Sequence, residues 1–479
     1  MTHLNPRGEF PTRADAPDSK WHATFAACTL TVLTALPACS NDDAGGDCPA
    51  VLPMAEAVTP DYAQASDVSV DPMATSKTTL DAAVSADNAF TVALYAQLRA
   101  SAGTANLLTS PLSASLGLGM LYAGAAGRTA SEMATALHFD GDAASVAEGQ
   151  GALGRALSSR AASALAAAKK AGKCSSPAAY QLQLVDSVWG ERTYPWEQPF
   201  LETLARGYGT GVALEDFVGA PGQALRTINS WVSAETGGSI EGLLPPGSID
   251  DKTRMVLANA IHVKLPWATA FDPAMTAPRS FTRADGSKVQ TPFMNVEGTF
   301  PYSDDGMAQT IALPFSGNEI SIVVTLPHVG VDLATYEATL SASSPALTVP
   351  AHPNEVQVSL PKIGFTSKSF SLAASLEGMG MHDAFDGDLA DFSGMCGTPP
   401  DGGRLSVKDV IQKTMLEMKE TGVEAAAATA VVSCNNCGGS IEVESVIVDR
   451  PYLVSIVDAP TGAVLFLGHV EDPTDSGGT

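Results

Sequence analysis

Basic residues are scarce. The chain of 479 residues carries 27 Lys and Arg against 52 Asp and Glu, a formal charge of −25 at pH 7. Neutralising a phosphate backbone needs Lys and Arg in excess, which excludes nucleic acid as a partner. A heparin-like polyanion or an anionic lipid surface is disfavoured on the same ground, and the charge itself serves solubility. Long apolar runs are also missing. Trp21 to Leu36 (WHATFAACTLTVLTAL) is too short for a membrane span and has no basic stop on its far side. The 8 histidines show no HExxH spacing and no GxSxG elbow occurs, so metalloprotease and esterase chemistry lack their minimum parts. Asp475-Ser476-Gly477-Gly478 has the order of a serine-protease nucleophile stretch, but no strand follows it to build an oxyanion hole. Cys434-Asn435-Asn436-Cys437 has redox spacing without a βαβ context, and no second Cys or His pair completes a tetrahedral metal site. No enzyme, cofactor or metal is expected.

What is present reads as globular: 45% hydrophobic residues with ordinary glycine and proline content can bury a large core. The N-terminal stretch is not part of that core. Arg7, Arg13 and Lys20 precede the apolar run, the pattern of a secretory leader. Its end, Leu36-Pro37-Ala38-Cys39-Ser40, resembles a bacterial lipoprotein cleavage box, with Cys39 as the lipidated residue and proline as a departure. Residues 1–38 are therefore expected to be a signal peptide, and the mature protein exported: extracellular, or held at the outer membrane only through that lipid. Cys28 goes with the leader, leaving Cys48, Cys174, Cys396, Cys434 and Cys437 in a disulfide-permissive compartment. Five is odd, so at least one thiol is free or pairs with another chain. Residues 39–80, acidic and rich in Ala, Ser and Pro, are expected to be a flexible tether. With no later linker and no repeat, 81–473 reads as one domain and 474–479 as a tail.

Helical periodicity marks Val84 to Ala100 (VSADNAFTVALYAQLRA), Ser110-Pro111 opens a second helix, and Ala-rich Gly151 to Lys170 predicts an exposed one. Later runs are strand-like and closed by Pro, Gly or Asp: QLQLVDSVWG, RMVLANAIHVKL, QTIALPF, EISIVVTLP, EVQVSLPKI, VESVIVD and PYLVSIVD. Helices early and strands late predict an α+β fold with helices packed on large sheets.

Four stretches in order resemble serpins: Asn106 to Phe139 (NLLTSPLSASLGLGMLYAGAAGRTASEMATALHF), Ile228 to Phe271, the segment EMKETGVEAAAATAVV, and Val448 to Pro473 (VDRPYLVSIVDAPTGAVLFLGHVEDP). The resemblance implies three β-sheets with an exposed reactive-centre loop. It also implies a monomer that traps a target endopeptidase covalently. A protease cuts the loop, an acyl-enzyme forms, and the loop enters the central sheet as a new strand. The hinge of that loop maps onto Glu420, Thr421, Gly422, Val423, Glu424, Ala425, Ala426, Ala427, Ala428 and Thr429. Val423 stands where inhibitory members usually have Thr or Ser. The mid-sheet shutter maps onto Ser110, Ser113, Asn259 and Gln412, the last in place of histidine and without a pH-dependent charge. Trp267 falls in the breach, at the top of the central sheet.

The residues themselves suit insertion. In a strand, Val423, Ala425, Ala427, Thr429 and Val431 share one face and Glu424 the other, so the run's charge points outward. Small inward residues avoid misfits that each cost ~1–3 kcal/mol. Taken alone the run fits an Ala-rich helix equally well. Counting forward from Glu420 places the scissile bond at Asn436, with Cys437 next, whereas counting back from Pro451 places it near Ser440. Neither puts Arg or Lys at the cut, which argues against a trypsin-like target. A Cys434–Cys437 bridge and a reduced pair both remain open. Inhibition of serine endopeptidases is the leading expectation, with cysteine endopeptidases as alternative targets. A non-inhibitory binding protein on the same fold is the other class.

Overall fold

Ser110 and Pro111 begin the helix around which the rest is built. The Ser110 side chain accepts from Ser113 N at 3.4 Å, and proline's fixed φ suits the first turn. Every residue of that helix, Pro111–Tyr122, is buried, so it has no polar face. A computed structural model describes residues 59–65, 75–172, 180–400, 402–422 and 443–477. All of these lie in one compact unit, Ser40–Thr479.

In chain order the elements begin with β1 (Asp61–Ala63), α1 (Lys77–Ala102), β2 (Leu107–Thr109), α2 (Pro111–Tyr122), α3 (Gly127–Ala136), α4 (Ala143–Ser158) and α5 (Arg160–Lys170). Next come β3 (Gln181–Glu191), α6 (Gln198–Tyr208), β4 (Val212–Glu215), α7 (Pro221–Glu235), β5 (Met255–Lys264) and β6 (Ala277–Thr282). A long β7 (Lys288–Asp304) leads to β8 (Ala308–Pro314), β9 (Ile320–Pro327), α8 (Leu333–Glu337), β10 (Pro353–Pro361), β11 (Ile363–Thr366), β12 (Phe370–Ser371) and α9 (Ala373–Gly378). The chain finishes with β13 (Val410–Gln412), β14 (Met415–Met418), β15 (Glu444–Ile447), β16 (Tyr452–Asp458) and β17 (Ala463–Val470).

These strands make three sheets among the described residues. The first runs β1-β4-β3-β5-β13-β12, and the second runs β15-β10-β7-β8-β9-β16-β17-β2 with β6 added beside β7. Strands β11 and β14 pair with each other. Helix α2 lies between the two larger sheets, its Leu112 and Leu116 in one apolar cluster with Ile261 of β5 and Leu465 of β17. The α+β expectation and every strand-like run named above agree with these elements.

Two local expectations change. The Ala-rich stretch is two helices, α4 and α5, meeting at Ser159, and α4 is not exposed: Leu153 and Leu157, one turn apart, are buried. Alanine content hid that apolar face. Within the stretch expected to be tether, Asp61–Ala63 pair with Leu214–Val212 on the edge of the first sheet, and α1 starts before residue 81. Three paired residues are too few to leave a periodic signal. Among the described residues, no helix is long and apolar enough to cross a membrane.

Candidate functional site

The first sheet is incompletely paired at its centre. Strands β5 and β13 run parallel, with Leu257 opposite Val410 and Ala258 opposite Ile411, and the pairing stops there. Beyond it β5 continues to Lys264, while the facing chain continues through Gln412 into β14, which pairs on its other side with β11. Among the described residues no ladder joins β5 to β14. The two lines meet again further on, at a bridge between Pro266 and Gly422. The sheet thus holds a slot closed at both ends.

The lower closure is fastened to the start of α2. Gln412 Nε2 donates to Ser110 O at 2.8 Å, and Ser110 N and Thr109 Oγ1 donate to Gln412 Oε1 at 3.0 and 2.7 Å. On the β5 side, Ser113 Oγ donates to Asn259 Oδ1 at 2.6 Å, and Asn259 Nδ2 donates to Ser113 O and to Asp186 Oδ1 of β3. Ser110, Ser113, Asn259 and Gln412 are all buried. The structure therefore brings the four predicted shutter residues together as two clasps on one helix. Gly117, one turn along α2, permits the close approach: a Cβ there would meet Leu257 at 3.0 Å and Asn259 Nδ2 at 3.3 Å.

Gln412 carries no titratable charge, but Asn259 brings one to the cluster through its hydrogen bond to Asp186. That residue keeps some exposed surface, yet loss of water around its carboxyl pushes its pKa up to about 8 against the opposing Asn259 hydrogen bond. Sequence reasoning missed it, although a signal existed. Leu182, Leu184, Asp186 and Val188 share one strand face, so the alternation places a carboxylate among apolar neighbours.

The upper closure is built on Trp267. Its indole stacks on Phe315, with centroids 4.8 Å apart and planes at 10°, and its Nε1 donates to Lys419 O at 2.7 Å. Phe271 N donates to Glu420 O at 2.9 Å. The Glu420 carboxylate accepts from Lys362 Nζ at 2.9 Å and from Thr276 Oγ1 at 2.9 Å. Burial alone would raise its pKa, but the lysine and the hydroxyl outweigh it and hold the carboxyl below its ordinary value. The chain then turns: Gly422 N donates back to Lys419 O at 3.1 Å, across Glu420 and Thr421. Gly422 has φ of 103°, and a Cβ there would fall 2.6 Å from Leu265 O, so glycine is required. Lys362 and Thr276 were not foreseen, since nothing local links them to Glu420.

Trp267, expected in the breach, and Glu420, Thr421 and Gly422, expected in the hinge, thus lie together at this end of the slot. The remaining hinge residues, Val423 to Thr429, lie outside the described residues, as do Asn436, Cys437, Cys39 and every other predicted cysteine except Cys396, which is buried in the core.

The fold and these two closures can now be set beside known proteins. The family model described as Serpin (serine protease inhibitor) matches residues 85–473. The chain is a serpin. Bovine leukocyte elastase inhibitor is 31% identical to it over 400 residues, covering 81% of this chain and 98% of that protein. Among solved structures, the native state of the thermophilic serpin tengpin matches with a TM-score of 0.69 and 26% identity, covering 87% of this chain and all of that one. Human thyroxine-binding globulin in complex with thyroxine matches with a TM-score of 0.69 and 26% identity over 83% of this serpin and 100% of the globulin chain. The family match begins within α1 and spans β5, β13, β14 and the residues of both closures.

Proposed function

We propose that this serpin inhibits serine endopeptidases by loop insertion, and that the unpaired slot between β5 and β14 is the place its loop enters. The slot is the observation that carries the reading. Asn259 to Lys264 on one side and Gln412 to Met418 on the other offer backbone groups to an incoming strand. Val423 to Thr429 follow directly from Gly422 in the sequence and, with Glu424 on the outward face, are small enough for a crowded strand position. Relatives named for elastase inhibition support inhibition as the activity. The absence of Arg or Lys at Asn436 and Ser440 favours a target that cuts after small or uncharged residues.

Incubation with a panel of serine and cysteine endopeptidases tests this. The expected result is a denaturant-stable complex with a serine endopeptidase and a released C-terminal peptide whose sequence identifies the cut. Cleavage of the loop by every protease without a complex would replace inhibition with the binding-protein reading. We further propose export with a lipid on Cys39, resting on the leader and its cleavage box. Mass spectrometry of the mature N-terminus should find a modified Cys39, and an unmodified terminus elsewhere would remove the anchor.

A further inference from the structure

We propose that Asp186 is a positioning residue for opening of the central sheet: by holding the Asn259 amide against α2, it makes entry of the loop depend on release of a proton. This rests on the insertion reading above.

Asn259 has one amide nitrogen and two acceptors to serve. It donates to Ser113 O on α2 and to Asp186 Oδ1 on β3 while accepting from Ser113 Oγ. Three elements, α2, β3 and β5, are therefore tied at one side chain. It sits immediately after the Ala258–Ile411 pair, where the ladder between β5 and β13 ends. A strand entering the slot must separate that pair. Gln412 is tied to Ser110 and Asn259 to Ser113, so at least one clasp on α2 must yield.

The surroundings of Asp186 are poor in charge. Tyr208 of α6 lies near it and near Asp87 of α1, and the Tyr208 phenol is raised by burial first and by both carboxyls next. Tyr208 donates to Gln150 of α4 at 2.7 Å, and Asp87 accepts from Ser115 of α2. Arg155 of α4 directs a guanidinium nitrogen to Gly207 O at 3.0 Å. His262 of β5 has the opposite parity to Asn259 and contacts Ser239 at 3.1 Å. Residues 209–211, ahead of β4, carry no charge, and neither does α2. No cation is among the causes that set the Asp186 carboxyl; desolvation comes first and carries it to about 8.

A carboxyl raised in this way binds its proton more tightly in the closed sheet than in one opened to water. Opening then releases the proton. It is held back at low pH, is favoured as pH rises, and levels off near pH 8 once the closed form is itself ionised. One proton allows a rate increase of up to about tenfold per pH unit below that plateau. Asp87 is raised to about 7 by burial, but it ties α1 to α2 rather than β3 to β5, so it serves as the control.

The test follows conversion of the intact full-length protein to its heat-resistant, loop-inserted form between pH 5.5 and 9. The wild-type rate is expected to climb with pH and flatten near 8. Asp186→Asn keeps the hydrogen-bond acceptor without the titration and should give a flat profile, while Asp87→Asn should keep the climb. If Asp186→Asn fails to fold, isotope-labelled aspartate in the intact wild-type chain should show a carboxyl titrating near 8. A climb that persists in Asp186→Asn, or no such carboxyl, overturns this role alone. A protein that never gains heat resistance after cleavage overturns the insertion reading and this role with it.

Discussion

Gln412 and Ser110 exchange two hydrogen bonds: the Gln412 amide donates to Ser110 O at 2.8 Å and accepts from Ser110 N at 3.0 Å. The pair joins β13 to the first turn of α2 through a side chain that copies what a neighbouring strand would offer. Asn259 does the same for β5 through Ser113. The two strands that must part are thus held by one rigid element, which makes the closed sheet a defined state.

Replacing Gln412 with Leu should open the lower clasp. Ser110 N, Ser110 O and Thr109 Oγ1 would lose their partner in a buried place, at a cost of about 2–4 kcal/mol. Thermal unfolding of Gln412→Leu should occur several degrees lower, and conversion to the loop-inserted form should be faster. An unchanged melting temperature would show that water takes over these groups and that the clasp is dispensable.

Trp267→Phe separates two contributions at the other end. Phenylalanine keeps a ring against Phe315 but has no N–H for Lys419 O. The loss should be about 0.5–1.5 kcal/mol of intact-state stability. Because the bond closes the entrance next to the hinge, the variant should form protease complexes faster than wild type. Stopped-flow measurement of loop insertion checks it, and a slower rate would mean that the indole guides the loop instead of restraining it.

Glu420 supplies a pH dependence of opposite sign to that of Asp186. Its carboxyl is held below the ordinary value by Lys362 and Thr276, so its share of stability is complete above the unfolded pKa of about 4.3 and is lost as pH falls through the lower, folded value. Glu420→Gln should reduce the acid-range slope of the melting temperature between pH 5 and 2.5 while leaving it little changed near neutrality. The lysine is about a third exposed, so the effect will be modest and will shrink in high salt.

How much of this was legible in the sequence follows from the range of each interaction. Ser110-Pro111 announces α2 because a cap and its proline are adjacent, and β3, β5 and β16 announce themselves as β-rich runs closed by Gly, Pro or Asp. The slot has no such signature. It exists because β5 and β13, separated by some 150 residues of chain, pair over only two positions, and nothing local in either strand says where pairing stops. The Lys362–Glu420 contact is equally non-local. Asp186 is the intermediate case: its strand parity flags a carboxylate on a buried face, but its partner is known only once β3 lies beside β5. The four shutter residues were reached through family resemblance, and the structure supplies the hydrogen bonds that give that grouping a physical meaning.

Cutting the loop should stabilise this protein rather than weaken it. In the intact chain Asn259 to Lys264 and Gln412 to Met418 flank a slot with no ladder between them among the described residues. A free end near Asn436 would let Val423 and the alanines after it enter as a strand bonded on both edges. About ten new ladder bonds at roughly 0.5–1.5 kcal/mol each, with apolar burial added, far exceed the ~1 kcal/mol that moves a melting temperature by a few degrees. The clasps at Gln412 and Asn259 oppose this, but each amounts to only a few such bonds, and both strands keep α2 beneath them after they part. A serpin-fold binding protein whose loop cannot enter should behave differently, because nicking an exposed segment merely adds disorder at the cut. Differential scanning calorimetry before and after limited proteolysis confined to the loop distinguishes the two. A cleaved form melting well above the intact one supports insertion into the slot, whereas one melting at or below it would mean the slot stays empty and the inhibitory mechanism is lost.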